Sequence, residues 1–434
     1  MFVTLLQGRK LVLDSNQFDK LLKDLFPLNR SLTGDGNRKT LEILKEIVPA
    51  LQIREVKSGT KAFDWVIPKE WKVNHAYLLD ENRNKIIDYT DNNLHLIGYS
   101  ASFSGKISLD QLKLHLHTSD VIPEAIPYVT SYYDSNWGFC VTKEFKDNLK
   151  DEIYQVEIDT EHFEGSMTYG EIFIKGNSKK EILFSTYICH PSMASNEISG
   201  PLVAINLAMD LYNSKNNEFS YRFLFLPETI GSIFYLSKNL KKMKKNIIAG
   251  FVLTCLGDNK NWSFLTSRYK DTYSDKLAEF ILQNNKIRFK KYDFLNRGSD
   301  ERQYCFPFVN LPIVSIMRSK YGEFKEYHTS FDNLDFVNGA NLVESSALYF
   351  EIIKVIESNY FPRATTVCEP MMSKRNLRKG NSNKNLDDFD QNVMNFLVYS
   401  DGQNDLIDLA IKLNISYQSC LEISELLKEN GLVR

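Results

Sequence analysis

The 434-residue chain is 43% apolar and 25% charged, the make-up of a globular protein whose length calls for two or three domains. Lysine and arginine number 53 against 55 acidic side chains, and the resulting net charge of −2 excludes any overall pull toward nucleic acid or an anionic membrane. Six cysteines without CxxC spacing read as buried thiols rather than a disulfide framework or a Cys-rich zinc site; with no signal-peptide core and no run of membrane-spanning length, the expected location is the cytoplasm.

Residues 15–50 read as helical, with Leu41, Leu44 and Ile47 at helical spacing and Pro49 ending the run. From 61 to 175 the texture changes to short aromatic and β-branched runs parted by turn residues, such as "KIIDYT", "YVTSYYDSNWGFCV" and "IYQVEID". After Gly176 buried strands alternate with amphipathic helices. The strands are "EILFSTYIC", "YRFLFLP", "IIAGFVLTCLG" and "LPIVSIM", and the last helix lies in "GANLVESSALYFEIIKVIES". This rhythm predicts a largely parallel sheet covered on both faces. Residues 1–60 and 176–368 are expected to form one α/β core, with 61–175 as an inserted β-rich domain. Residues 369–385 read as a basic, turn-rich linker. Three short helices over 386–434, the last pair with helix-turn-helix cadence, read as a winged-helix domain.

In open α/β sheets ligands gather beyond the carboxyl ends of the strands, and the unusual polar residues fall there. His190 follows "ILFSTYI", Glu228 follows "YRFLFLP", and Asp258 follows "FVLTCLG". "NRGSDERQY" (296–304) precedes a strand, and "EYHTSFDNLDF" (326–336) follows "LPIVSIM". Singly, each has an ordinary structural explanation: a hydrogen-bonded histidine, a glutamate favoured by a helix dipole, Asp300 and Glu301 paired with Arg302 on a loop. Their joint placement on one sheet edge points to a site. No G-x-S-x-G elbow or P-loop competes with it. Cys189 is expected to point away from His190, as neighbours along a strand do, and to be a buried thiol behind the site.

Together "YICHPSMASNEISGP", "LPETIGS", "GSDERQY" and "YGEFKEYHTSFDNLDF" resemble a bacterial family of aminopeptidase-like zinc proteins with a C-terminal winged helix, distantly related to zinc aminopeptidases and glutaminyl cyclase. The likeness runs from "RSLTGDGNRKTLEIL" to the final helices. It implies a phosphorylase/hydrolase-like core, a mixed sheet sandwiched by helices. It also implies site roles. His190 and His328 fit two histidine ligands. Asn196 stands where the relatives have a bridging aspartate, with Glu197 beside it. Glu228-Thr229 stands where they carry a Glu-Glu pair of base and ligand, and Thr254 where they carry a ligand aspartate. With an amide and two threonines at donor positions, a single-zinc site is expected, with His190 and His328 as strong ligands and Asn196, Glu197 or water completing it. Glu228 is the expected general base, or alternatively the third ligand. Glu197 and Asp332 are expected behind the ligands, with Asp300 and Arg302 at the substrate and Arg302 anchoring a carboxylate.

These expectations describe a metal-dependent amide hydrolase of aminopeptidase type, acting on a small peptide or an amide-bearing metabolite. The alternative is a non-catalytic binding or scaffold protein that keeps the hydrolase fold and uses its winged helix for interaction. Residues 386–434 hold nine Asp/Glu against three Lys/Arg. A DNA reader must neutralise phosphates, so a protein partner or self-association is the expected role of that domain, and neither nucleic acid nor a membrane is an expected partner.

Overall fold

The computed structural model describes residues 12–214, 216–377 and 388–434. One unit runs to Glu279 and resumes over Arg288–Phe350; a second comprises Phe280–Ile287 and Glu351–Arg434.

The first unit is built on an eight-stranded mixed sheet. In spatial order its strands are Gln52–Lys57, Ser166–Ile174, Ser220–Leu226, Glu181–Tyr187, Ile247–Val252, Ile313–Met317, Trp262–Leu265 and Phe289–Tyr292. The four central strands, Ser220–Leu226 to Ile313–Met317, run parallel; antiparallel pairs join them to Ser166–Ile174 on one side and Trp262–Leu265 on the other. Every residue of Glu181–Tyr187 and Ser220–Leu226 is buried, as strands covered on both faces must be. Phe184 stacks at 5.1 Å on Phe223 and 5.6 Å on Phe251, carrying the core across three strands.

The helix Ser15–Leu25 starts at Asp14, whose side chain and that of Gln17 close a capping box, and it buries Phe18, Leu22 and Leu25. Ser199–Ser214 crosses the sheet between Glu181–Tyr187 and Ser220–Leu226. It begins where a Cβ on Gly200 would lie 2.3 Å from the Leu253 carbonyl oxygen and 2.4 Å from Thr186 Oγ1, so only glycine lets the helix approach so closely.

A second, four-stranded antiparallel sheet has the order Lys85–Asp88, Glu70–Leu79, Ile153–Phe163, Phe103–Ser108. It belongs to the stretch read as an insertion. Strand Ser166–Ile174, counted with that stretch on sequence, is instead hydrogen-bonded into the larger sheet between Gln52–Lys57 and Ser220–Leu226. A strand's texture records its burial, not which sheet it joins.

In the second unit the helices Asp388–Val398, Leu406–Leu413 and Tyr417–Glu429 accompany a small antiparallel ribbon. Arg363 and Arg434 exchange both backbone hydrogen bonds at 3.0 Å, and the Ala364 amide donates to the Ser400 carbonyl at 2.7 Å. Residues 363–365 lie inside the stretch 176–368 expected to belong to the core, but they pair with this ribbon in the second unit instead. Among the described residues no helix is long and apolar enough to cross a membrane.

Candidate functional site

Strand register sets the site. Tyr187 pairs with Leu226 and Ser185 with Val252, and the amide of Ile188 donates to the Leu226 carbonyl at 2.8 Å. His190, Glu228 and Thr254 therefore leave the same edge of the sheet within three residues of the last paired position.

His190 is buried and held from three sides. Its Nδ1 lies 2.6 Å from Glu197 Oε2, and its carbonyl accepts from Arg30 Nε at 3.0 Å. Its Nε2 faces Glu228 Oε2 at 3.8 Å. Burial alone would lower the His190 pKa, but the Glu197 carboxylate beside Nδ1 holds it well above the usual value. Cys189 does not point away. Its sulfur is 3.6 Å from His190 Nδ1 and accepts from the Glu228 amide at 3.1 Å. The alternation expected of it holds only inside a strand, and this strand ends at Tyr187. Burial pushes the Cys189 thiol up to about 12, so it stays protonated.

His328 comes from the loop after Ile313–Met317 and sits at a left-handed φ of 56°. Its carbonyl accepts from the Tyr128 amide at 2.8 Å, and Ser330 donates from its amide to the Ile126 carbonyl at 2.9 Å. A segment of the inserted stretch thus runs as a short ladder beside the histidine. The His190 and His328 rings lie 5.3 Å apart, with Tyr128 edge-on to both at 5.3 and 5.2 Å. His328 Nε2 is buried with no hydrogen-bond partner. Burial and the nearby His190 keep its pKa well below the usual value.

Glu228 sits in a strained turn. Thr229 has φ 66° and ψ −72°, and the Ile230 amide donates to the Glu228 carbonyl at 2.8 Å. This is a γ-turn with a β-branched residue at its positive-φ centre, a conformation held only by its surroundings. Asp300 Oδ1 accepts from the Thr229 amide and the Ser232 hydroxyl, both at 2.8 Å, and Arg302 Nη2 donates to Thr229 Oγ1 at 2.5 Å. Asp300, expected at the substrate, therefore lies beneath the turn. Burial first, then the neighbouring Glu228, raises it to about 7. Burial likewise raises Glu228 above the ordinary glutamate value.

Asn196 and Glu197 occupy one wide helical turn, Ala194–Ile198, that opens the Ser199–Ser214 helix. Asp332 caps it from a distance, accepting from the amides of Ser195 at 2.6 Å and Asn196 at 2.9 Å. The Asn196 amide oxygen accepts from Tyr187 OH at 3.1 Å. Thr254 Oγ1 is 2.5 Å from the same phenol and donates to the Asn196 carbonyl at 2.9 Å. These neutral groups satisfy one another, and they do not fit a second cation. Asp258 accepts from Lys260 and Ser319 and pins a loop.

His190, Glu228, Arg302 and His328 line one cavity of about 390 Å³, walled by Trp65, Tyr128, Tyr132 and Tyr133. Asn196, Glu197, Asp300 and Asp332 stand behind that wall. Two imidazoles and a carboxylate line one space, the donor types a single zinc ion takes, and the unpartnered His328 Nε2 is the nitrogen such an ion would satisfy. The donor atoms of His190, Glu228 and His328 do not all lie within 4.8 Å of one another, so holding one ion would draw the three side chains together. Cys189, His190 Nδ1 and Glu197 also cluster. The 2.6 Å contact between His190 and Glu197 is a hydrogen bond, however, and leaves no room for an ion whose ligands at 2.0–2.2 Å would stand about 3.3 Å apart. Two residues escaped the sequence reading. Arg30 acts through a carbonyl 160 positions away, and Tyr128 lay inside a run whose only visible signal was β texture.

A family model described as a domain of unknown function (DUF4910) matches residues 19–359, and a winged helix-turn-helix model matches 360–434. The chain belongs to the DUF4910 family. It is 43% identical over 402 residues, 92% of this chain and 91% of the other, to a Clostridium acetobutylicum protein named "Putative polysaccharide biosynthesis protein with aminopeptidase-like domain". A crystal structure of a peptidase-like protein from the same organism, named only as "putative peptidase", matches with a TM-score of 0.89 and 41% identity, over 97% of this chain and 96% of that one. The zinc aminopeptidase BSAP of Bacillus subtilis matches with a TM-score of 0.58 at 12% identity, over 80% of this chain and 96% of that one. That likeness is one of fold. This DUF4910 member thus has the aminopeptidase-like α/β core and C-terminal winged helix that its motifs implied.

Proposed function

We propose that this protein is a metal-dependent amide hydrolase with one zinc ion, acting on a small peptide or an amide-bearing metabolite. The observation that carries the reading is that His190, Glu228 and His328, the last with an unpartnered Nε2, line one aromatic-walled cavity, with His190 Nε2 3.8 Å from the Glu228 carboxylate. His190 and His328 would hold the ion, with Glu228 the nearest carboxylate and Asn196, its oxygen already bonded to Tyr187, the weaker donor. Bound there, zinc supplies Lewis-acid polarisation of the scissile carbonyl. Glu197 holds Nδ1 of His190 and so directs the other ring nitrogen to the cavity. The Glu228 carboxylate takes a proton from the attacking water and returns it to the leaving nitrogen. The Clostridium acetobutylicum relative is named for polysaccharide biosynthesis, which is support for including amide-bearing sugars among the metabolites tried.

The test is zinc content at neutral pH with zinc supplied, alongside turnover of a panel of amides. Wild type is expected to hold one zinc per chain and His190→Ala and His328→Ala close to none, while Glu228→Gln lowers kcat by about 100-fold or more. Equal, near-zero zinc in wild type and His190→Ala ends the proposal. The second reading, a scaffold without catalysis, draws support from the neutral Asn196, Thr229 and Thr254 at former donor positions; it requires that no amide in the panel is cleaved. For the winged helix we favour a protein partner, because Glu422, Glu425 and Glu429 are exposed on its last helix.

A further inference from the structure

Charge in the cavity is distributed against a free amino terminus. Among the described residues lining it, Glu228 is the only carboxylate, and it is already committed to the space facing His190 Nε2. The remaining walls are phenols, an indole, threonines, two imidazoles, the Cys189 thiol and apolar side chains, with one permanent cation, Arg302. An ammonium group taken into such a space loses its hydration and finds no second carboxylate to pair with. The neutral cluster of Asn196, Tyr187 and Thr254 leaves no second cation to receive an amine either.

Arg302 has the opposite preference. Its Nη2 donates to Thr229 Oγ1, while its Nε is buried with no hydrogen-bond partner. The Nε is enclosed, but the guanidinium as a whole lines the cavity and is fixed there through Thr229, so it presents a held positive charge to an anion in that space, and such charge-assisted bonds are the strong ones.

Resting on the single-zinc hydrolase reading, we infer that the substrate is an acylated, uncharged amide bearing a carboxylate or phosphate that Arg302 receives, and not a peptide with a free amino terminus. The aromatic walls of Trp65 and Tyr133, whose rings meet at 6.0 Å, cover the apolar body of such a molecule.

Calorimetric titration of the zinc-supplied full chain tests this without requiring turnover. The probes are N-acetyl-L-aspartate for the carboxylate source, N-acetylglucosamine 1-phosphate for the phosphate source, neutral N-acetylglucosamine and leucinamide. At least one anionic probe is expected to bind about tenfold or more tightly than both uncharged N-acetylglucosamine and leucinamide. Whichever anion wins identifies the source. Arg302→Gln is expected to remove that preference and Arg302→Lys to keep part of it. Leucinamide binding tightest, or no preference for either anion in wild type, overturns the inference. The hydrolase reading fails separately, on zinc content and on Glu228→Gln.

Discussion

Arg30 is fully enclosed, and its Nε and Nη1 donate to the carbonyls of His190 and Leu25 while Nη2 has no hydrogen-bond partner. Burial depresses its pKa, opposed by Glu197, whose Oε1 lies 3.8 Å away. Replacing it with methionine would leave the buried carbonyls of His190 and Leu25 without their donor and Glu197 Oε1 without a cation, so Arg30→Met is expected to destabilise the first unit by about 3 kcal/mol. Thermal melts of the two proteins check this. Glu228 carries a pH prediction. Burial raises its pKa above 4.5, and a base must be ionised to act, so kcat/KM is expected to fall as pH drops through a value above that of an ordinary glutamate. A limb at or below 4.5 would assign the proton transfer to another group. His190, Glu228 and His328 were legible because polar residues stand out where apolar strands end. Arg30 and Tyr128 were not, since a guanidinium reaching a carbonyl and a ring edge against two imidazoles leave no local pattern.

At the scale of elements, the γ-turn at Thr229 separates strain from contact. Thr229→Ala and Thr229→Gly both lose the hydroxyl that Arg302 holds, but only glycine relieves the positive φ. The glycine variant is therefore expected to be more stable than the alanine one by about 1 kcal/mol, and both should lose activity. Equal melting of the two would mean the turn stores no strain. Gly200→Ala tests the helix approach, where a new methyl must displace the Leu253 backbone. A loss of about 1–3 kcal/mol is expected, as for an overpacked core. The alternation of strands and helices after Gly176 was readable from apolar runs alone. The allegiance of Ser166–Ile174 was not, because its pairing with Ser220–Leu226 is decided by register across nearly 50 residues of chain.

For the whole molecule, the family matches divide the chain between residues 359 and 360, ahead of the basic stretch at 369–385 that reads as the linker; residues 378–385 of it lie outside those described. In the winged-helix unit the exposed carboxylates of Tyr417–Glu429 would meet phosphates with the wrong sign. The full chain is expected to leave a short DNA duplex unshifted at 0.1 M salt in a gel assay; a salt-sensitive shift would refute that. One feature of the first unit reaches further. The amide of Tyr128 and the carbonyl of His328 share a hydrogen bond, so the ribbon of residues 126–133, which walls the chamber with Tyr128, Tyr132 and Tyr133, also fixes the backbone that carries the imidazole. Swapping the whole ribbon for a relative's would therefore disturb the histidine along with the selectivity. New substrate preferences on this scaffold are reached more safely by repainting side chains on the existing ribbon than by transplanting it.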